Sequence, residues 1–278
     1  MTREPIDRRF PRPSVMGVVN VTPDSFSDGG VNLRPGDAIA AARRMSGDGA
    51  AIVDVGGEST RPGSEGVGVD EELRRVVPVL EVLAGEVPLS IDTSKAAVAQ
   101  RALSLGAELV NDVTALRGDP ALADVVAGAD AYVCLMHMQG EPRTMQLDPR
   151  YDDVVADVAA FLEQRLVAAV AAGIDEDHIC LDPGIGFGKT PDQNLELVRR
   201  LDAIVALGRP VLVGLSRKST VGKALGDAQA KLGTDAASVG AAVAAFDRGA
   251  SIFRVHDVRG HVEALAAAAA VERGQVPA

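Results

Sequence analysis

Eight short apolar runs in this chain each lead into side chains able to do chemistry. Residues 15–19 end in Asn20. Residues 51–55 lead into Gly56-Gly57-Glu58-Ser59-Thr60-Arg61. Residues 88–91 end in Asp92, 109–110 in Asn111 and Asp112, and 132–136 in His137. Residues 179–181 end in Asp182, and 211–215 in Ser216-Arg217-Lys218-Ser219. The last run, 252–255, carries Arg254 and is followed by His256. Loop polarity accounts for any one of these endings. Eight in series, several of them charged, point to a shared site.

Two kinds of chemistry can be read from them. Asp92, Asn111 and Asp182 offer acceptors in otherwise apolar surroundings, and buried carboxylates need donors. A flat heterocycle with adjacent N–H groups, such as a 2-amino-4-oxo ring, supplies those donors, and Lys218 could meet a ring oxygen or nitrogen. The structural alternative is Lys218 in a buried salt bridge with Asp182 or Asp92. Asn20, Arg61, Arg254 and His256 have the character of an anion site. Arg254 and His256 are two apart, so on a strand they face the same way. Asn20 is a neutral oxygen donor that could ligate a hydrated Mg2+ beside phosphate oxygens.

Between the apolar runs lie segments with helical periodicity: 37–48, 70–83, 95–105, 120–127, 152–172, 190–207, 235–248 and 257–271. The segment 190–207 opens on Thr190-Pro191, a cap followed by proline at the first helical position. Strands and helices alternating in this way over about 250 residues describe an α/β (β/α)8 TIM barrel. A doubly wound sheet is the runner-up. No composition break divides residues 14–278, which read as one domain preceded by a flexible N-terminal segment, 1–13. In a parallel barrel all eight strand ends lie on one face, so the polar ring becomes a single mouth.

The bulk composition narrows the partners. The chain has 278 residues, 47% hydrophobic, and a net charge of −11 with no basic run. A nucleic-acid surface is not expected. An anionic substrate must be met by a local cluster against the overall field. Cys134 and Cys180 sit in apolar runs and read as buried thiols, with no disulfide framework. No apolar h-region follows the N-terminus and no run is long enough to span a bilayer, so a soluble cytoplasmic protein is expected. Gly184-Ile185-Gly186-Phe187-Gly188-Lys189-Thr190 is neither a P-loop, since Pro183 replaces its first glycine, nor a dinucleotide fingerprint, since Lys189 replaces its third. Gly214-Leu215-Ser216-Arg217-Lys218 is not a nucleophile elbow, which needs glycine in place of Lys218.

The ordered motifs resemble those of the dihydropteroate synthase family. They are residues 16–30, GGESTRPG at 56–63, SIDTSK at 90–95, 111–114, DPGIGFGK at 182–189, SRKS at 216–219 and RVHDV at 254–258. The resemblance implies a (β/α)8 barrel, usually a homodimer. It also implies condensation of 7,8-dihydropterin-6-ylmethyl diphosphate with 4-aminobenzoate, with Mg2+ as cofactor. By position, Asp92, Asn111, Asp182 and Lys218 would hold the pterin, with Met136, Gly186 and Phe187 lining its pocket. Asn20, Thr60, Arg61, Arg254 and His256 would hold the diphosphate, with Asn20 on the metal. Arg61, Phe187, Arg217 and Ser219 would border the aminobenzoate. Asp92, Lys218, Arg254 and His256 would carry the chemistry, and loops 22–32 and 58–70 would close over the substrates. Ala115-Leu116 departs from the Ser-Gly common in the family after strand 4. A pterin-dependent methyltransferase domain shares the barrel but has no use for Arg61, Arg254 and His256 as a diphosphate site. A non-catalytic barrel paralogue is opposed only by the completeness of the residue set.

Overall fold

A computed structural model describes residues 3–22, 34–60 and 64–275. The eight expected strands are present and run parallel: β1 Ser14–Asn20, β2 Ile52–Gly56, β3 Leu89–Asp92, β4 Leu109–Asp112, β5 Tyr132–Met136, β6 Ile179–Asp182, β7 Leu212–Val213 and β8 Ile252–Val255. Their ladder order is β6-β5-β4-β3-β2-β1-β8-β7. A parallel bridge joins Leu181 to Val211, and the Leu181 N–H donates to Pro210 O at 3.0 Å, bringing the two ends of the sheet together. The sheet is therefore the (β/α)8 barrel and not the doubly wound alternative.

The period of two along each strand explains how the barrel positions a site. Successive side chains alternate faces. Val53, Val55, Ile91, Val110, Val133, Leu135, Ile179 and Leu181 belong to the large core shared with the surrounding helices. The alternate set begins with Met16, Ile52, Leu109, Tyr132, Cys134, Cys180, Leu212 and Ile252, which form a separate apolar cluster inside the barrel. Two residues further along the same faces come Val18, Asp54, Asn111, Met136, Asp182 and Arg254. The barrel lumen is thus apolar at its amino end and turns polar towards its carboxyl end.

Helix boundaries follow local chemistry. Thr190 and Gln193 form a reciprocal capping box at the start of Pro191–Arg199. Asp153 caps Val154–Ala171 and Thr234 caps Asp235–Phe246, each accepting from backbone N–H groups of the first turn. The expected single helix over 190–207 is two, Pro191–Arg199 and Asp202–Val205. The chain breaks step where Leu201 and Ile204 turn into the core, both fully buried.

The N-terminal segment differs from expectation. Residues 3–13 are not loose. Ile6–Arg9 is a short helix, and Ile6 and Phe10, each 1% exposed, join the apolar cluster inside the barrel. Phe10 meets Tyr132 edge-on at 5.7 Å, and the Tyr132 hydroxyl donates to Glu4 O at 2.8 Å. Charge and prolines concealed a plug: two apolar residues among eleven suffice when the open end of a barrel offers them a place.

Candidate active site

Asp54 is the hub of the polar end of the lumen. It is fully buried in β2 and its carboxylate accepts from Ser90 Oγ at 2.6 Å, Asn111 Nδ2 at 3.0 Å and Arg254 Nε at 2.7 Å. Arg254 Nη2 then donates to Asp92 Oδ2 at 2.7 Å. Sequence reasoning missed Asp54 because it lies within a strand and not at its end. The signal was there: a lone carboxylate between Val53 and Val55 in an apolar run. The network also joins the two clusters that the sequence kept apart, since Arg254 spends two donors on carboxylates of the heterocycle side. Burial pushes the Asp92 carboxyl up to about 7, with Arg254 acting against it.

Across the mouth, Asp182 and Lys218 form the second half. Asp182 Oδ1 accepts from the Gly184 N–H at 2.7 Å. Burial raises its pKa, opposed by Lys218 and the Gly184 N–H. Lys218 does not form the salt bridge considered from sequence: among the described residues its Nζ donates to Ile185 O and stands 4.9 Å from the centre of the Phe187 ring. Burial lowers its pKa to about 8, with Asp182 opposing. Phe187 packs on Val113, Met136, Met138 and Met145, giving a flat apolar wall beside these charges. Gly186 is held by Asn194, whose Oδ1 accepts the Gly186 N–H at 2.7 Å and whose Nδ2 donates to Thr220 Oγ1 at 2.9 Å. A Cβ at Gly186 would come within 3.2 Å of the Lys218 side chain.

The remaining expected residues divide. Asn20 ends β1 beside Gly56; a Cβ at Gly56 would lie 3.4 Å from both Asn20 Oδ1 and Asp92 Cβ, so the two side chains flank this backbone at contact distance. Asn20 Oδ1 is a neutral oxygen donor, the kind of ligand a hard cation that keeps most of its water takes. Among the described residues no group of three or more His, Cys, Asp or Glu side chains could hold a metal by itself. His256 places its backbone N–H 3.2 Å and its Nδ1 3.1 Å from Ser216 Oγ. Arg217, at φ 56°, pairs through Nε and Nη2 with Asp235 at 2.7 and 3.1 Å. Lys218 immediately precedes the short helix Ser219–Ala224, so Ser219 stands in its first turn. Thr60 is half-buried at the second loop. Arg61 lies outside the described residues, as do positions 23–33 of the first loop, including Asp28. The base of the second loop is stapled: Glu58 accepts from the Val67 N–H at 2.7 Å and from Lys95 Nζ at 2.8 Å, and Lys95 also reaches Glu72 at 2.5 Å.

Two strand-end residues serve the frame instead of the mouth. Asp112 is fully buried and accepts from the N–H groups of Thr114 at 2.8 Å and Leu116 at 2.6 Å, holding the turn in which Ala115 and Leu116 have positive φ. His137 is buried against Lys189, whose Nζ lies 2.8 Å from its Nδ1.

The chain matches the family described as pterin binding enzyme over residues 16–256. It is 47% identical over 265 residues to a dihydropteroate synthase of Neisseria meningitidis serogroup C, covering 92% of each chain. The fold is similar to that of Yersinia pestis dihydropteroate synthase in a sulfonamide drug complex, with a TM-score of 0.88 and 45% identity over 94% of this chain and 95% of that one. It is likewise similar to Xanthomonas albilineans dihydropteroate synthase in complex with 7,8-dihydropteroate, with a TM-score of 0.82 and 44% identity over 96% of each chain.

Proposed function

The chain belongs to the pterin binding enzyme family, and on that footing we propose that it joins (7,8-dihydropterin-6-yl)methyl diphosphate to 4-aminobenzoate, forming 7,8-dihydropteroate and diphosphate. The observation that carries this reading is the pairing of Asp182 and Lys218 beside the Phe187–Met136 wall with the Asp54–Asn111–Arg254–Asp92 network opposite. A flat ring can lie on the wall while Asp182 and Asn111 take its N–H groups and Lys218 meets its oxygen or nitrogen.

The transfer breaks the carbon–oxygen bond to the diphosphate and forms a carbon–nitrogen bond to the amine. The electron pair leaves with the diphosphate, and the amine proton is released after attack. Arg254 and His256, with Thr60 and Arg61 on the second loop, bind the diphosphate oxygens. Asn20 would hold Mg2+, which when bound offsets charge on the departing group. Asp92 faces the positive charge that develops on the pterin methylene and stabilises it electrostatically. An aromatic amine is already a nucleophile, so Phe187, Arg217 and Ser219 need only orient it. The working form is a cytoplasmic homodimer. Cys134 and Cys180 face each other across β5 and β6 as free thiols, which suits a reducing compartment. Leu195 on Pro191–Arg199 and Leu225 just past the end of Ser219–Ala224, 43% and 64% exposed on helices in contact, suit a self-association face that sedimentation would detect.

Calorimetry with a pterin analogue lacking the diphosphate tests the site. Asp182→Asn turns a donor towards ring N–H groups, so affinity should fall by a factor corresponding to about 1–3 kcal/mol. Unchanged affinity would remove Asp182 from the pocket.

A further inference from the structure

Lys189 is among the most buried charged side chains of the protein, 1% exposed, and it forms no ion pair among the described residues. Its ammonium instead meets Gly184 O at 2.9 Å, Phe187 O at 3.0 Å, His137 O at 3.4 Å and His137 Nδ1 at 2.8 Å. Burial lowers the His137 pKa to about 3, with the Lys189 charge adding to the effect, so the ring is neutral and Nδ1 accepts. The loop 183–188 is wound around this nitrogen as if around a bound cation. At Gly184 the winding needs φ 68°, and a Cβ there would collide with the His137 carbonyl.

An ammonium buried without a carboxylate is costly. A methionine of similar length could fill the space. What the ammonium adds is direction: it turns the Gly184 and Phe187 carbonyls inward. The outward-facing groups of the same loop are those that build the mouth. The Gly184 N–H donates to Asp182, the Ile185 carbonyl accepts from Lys218, and the Phe187 ring lies under the Lys218 ammonium. Lys189 also favours the ionised form of Asp182 from behind, alongside Lys218. Freed of Lys189, the two carbonyls become unpaired acceptors that must rotate towards water, and the peptide groups that serve Asp182 and Lys218 rotate with them.

We propose that Lys189 is a positioning residue for the transfer, a buried donor group that sets the loop 183–188 and acts on the substrates through Asp182, Lys218 and Phe187. This rests on the reading of the mouth as the pterin site. Turnover by the wild-type protein decides that reading first and independently of any Lys189 variant.

Lys189→Met and Lys189→Ala would be compared with wild type in the full chain, at a temperature where circular dichroism shows each folded. The expected result is a rise of about tenfold or more in KM for both substrates, with a smaller change in kcat. Propylammonium should restore the KM of Lys189→Ala, and propanol, its neutral counterpart, should not. If Lys189→Met does not fold, Lys189→Gln carries the same comparison, keeping an NH2 donor group without the charge. Unchanged KM in a folded variant, or rescue by propanol equal to rescue by propylammonium, would overturn the proposal.

Discussion

A carboxylate in the middle of an apolar strand is tolerated only when donors surround it, and Asp54 has Ser90, Asn111 and Arg254. The same economy is incomplete at Lys218, and this has a consequence for pH. Burial holds Lys218 at about 8 against an ordinary value of 10.5, and Lys189 at about 7. Between those values and 10.5 the unfolded chain binds more protons than the native one, so native stability rises with pH. The gain is complete above the unfolded value and is lost as pH falls through the folded one. Urea unfolding of wild type and Lys218→Met at about pH 6.5 and about pH 9.5 isolates this term. Wild type should gain on the variant at the higher pH, and a constant difference would contradict the assignment. At this scale the sequence showed the polar residues at or near strand ends that the fold gathers at one end of the lumen, Asp92, Asn111, Asp182 and Arg254. At Asp54 the signal, a lone carboxylate within an apolar run, was present and missed, and at Lys189, which closes a glycine loop, only tertiary contacts reveal the partners. The sequence misled at His137 and Asp112, whose side chains fold back into the frame.

Among the elements, the loop after β6 and the helix after β7 build one side of the mouth, and Asn194 of Pro191–Arg199 ties them together. Asn194→Ala leaves the Gly186 N–H unpaired at a cost of about 1–3 kcal/mol. Part of that cost should appear as a KM for 4-aminobenzoate raised several-fold, because Phe187 and the start of Ser219–Ala224 lose their common brace. Steady-state kinetics with pterin diphosphate saturating would show it. An unchanged KM with lowered stability would make Asn194 a packing residue only. The strands were legible because runs buried on both faces are continuous in sequence. Ser219–Ala224 and Ile6–Arg9 were not, since six and four residues are too few to display a helical period.

For the whole molecule, the barrel is stoppered at its amino end by Ile6 and Phe10 and lined with polar groups at its carboxyl end. Deleting residues 1–10 removes Ile6 and Phe10 from the lumen and should cost about 3–6 kcal/mol. The Arg9–Glu108 contacts at 2.7 and 3.0 Å would go with them. The folded fraction should keep its KM values, because the plug and the mouth lie at opposite ends of the strands. An unchanged urea midpoint would deny the plug its structural role. The most direct test of the account as a whole is turnover. Purified protein is mixed with Mg2+, (7,8-dihydropterin-6-yl)methyl diphosphate and 4-aminobenzoate, and 7,8-dihydropteroate and pyrophosphate are measured together. Equal amounts of both products are expected, and neither when either substrate is omitted. Folded protein that binds a pterin yet forms no dihydropteroate, or releases pyrophosphate without it, would contradict the assignment.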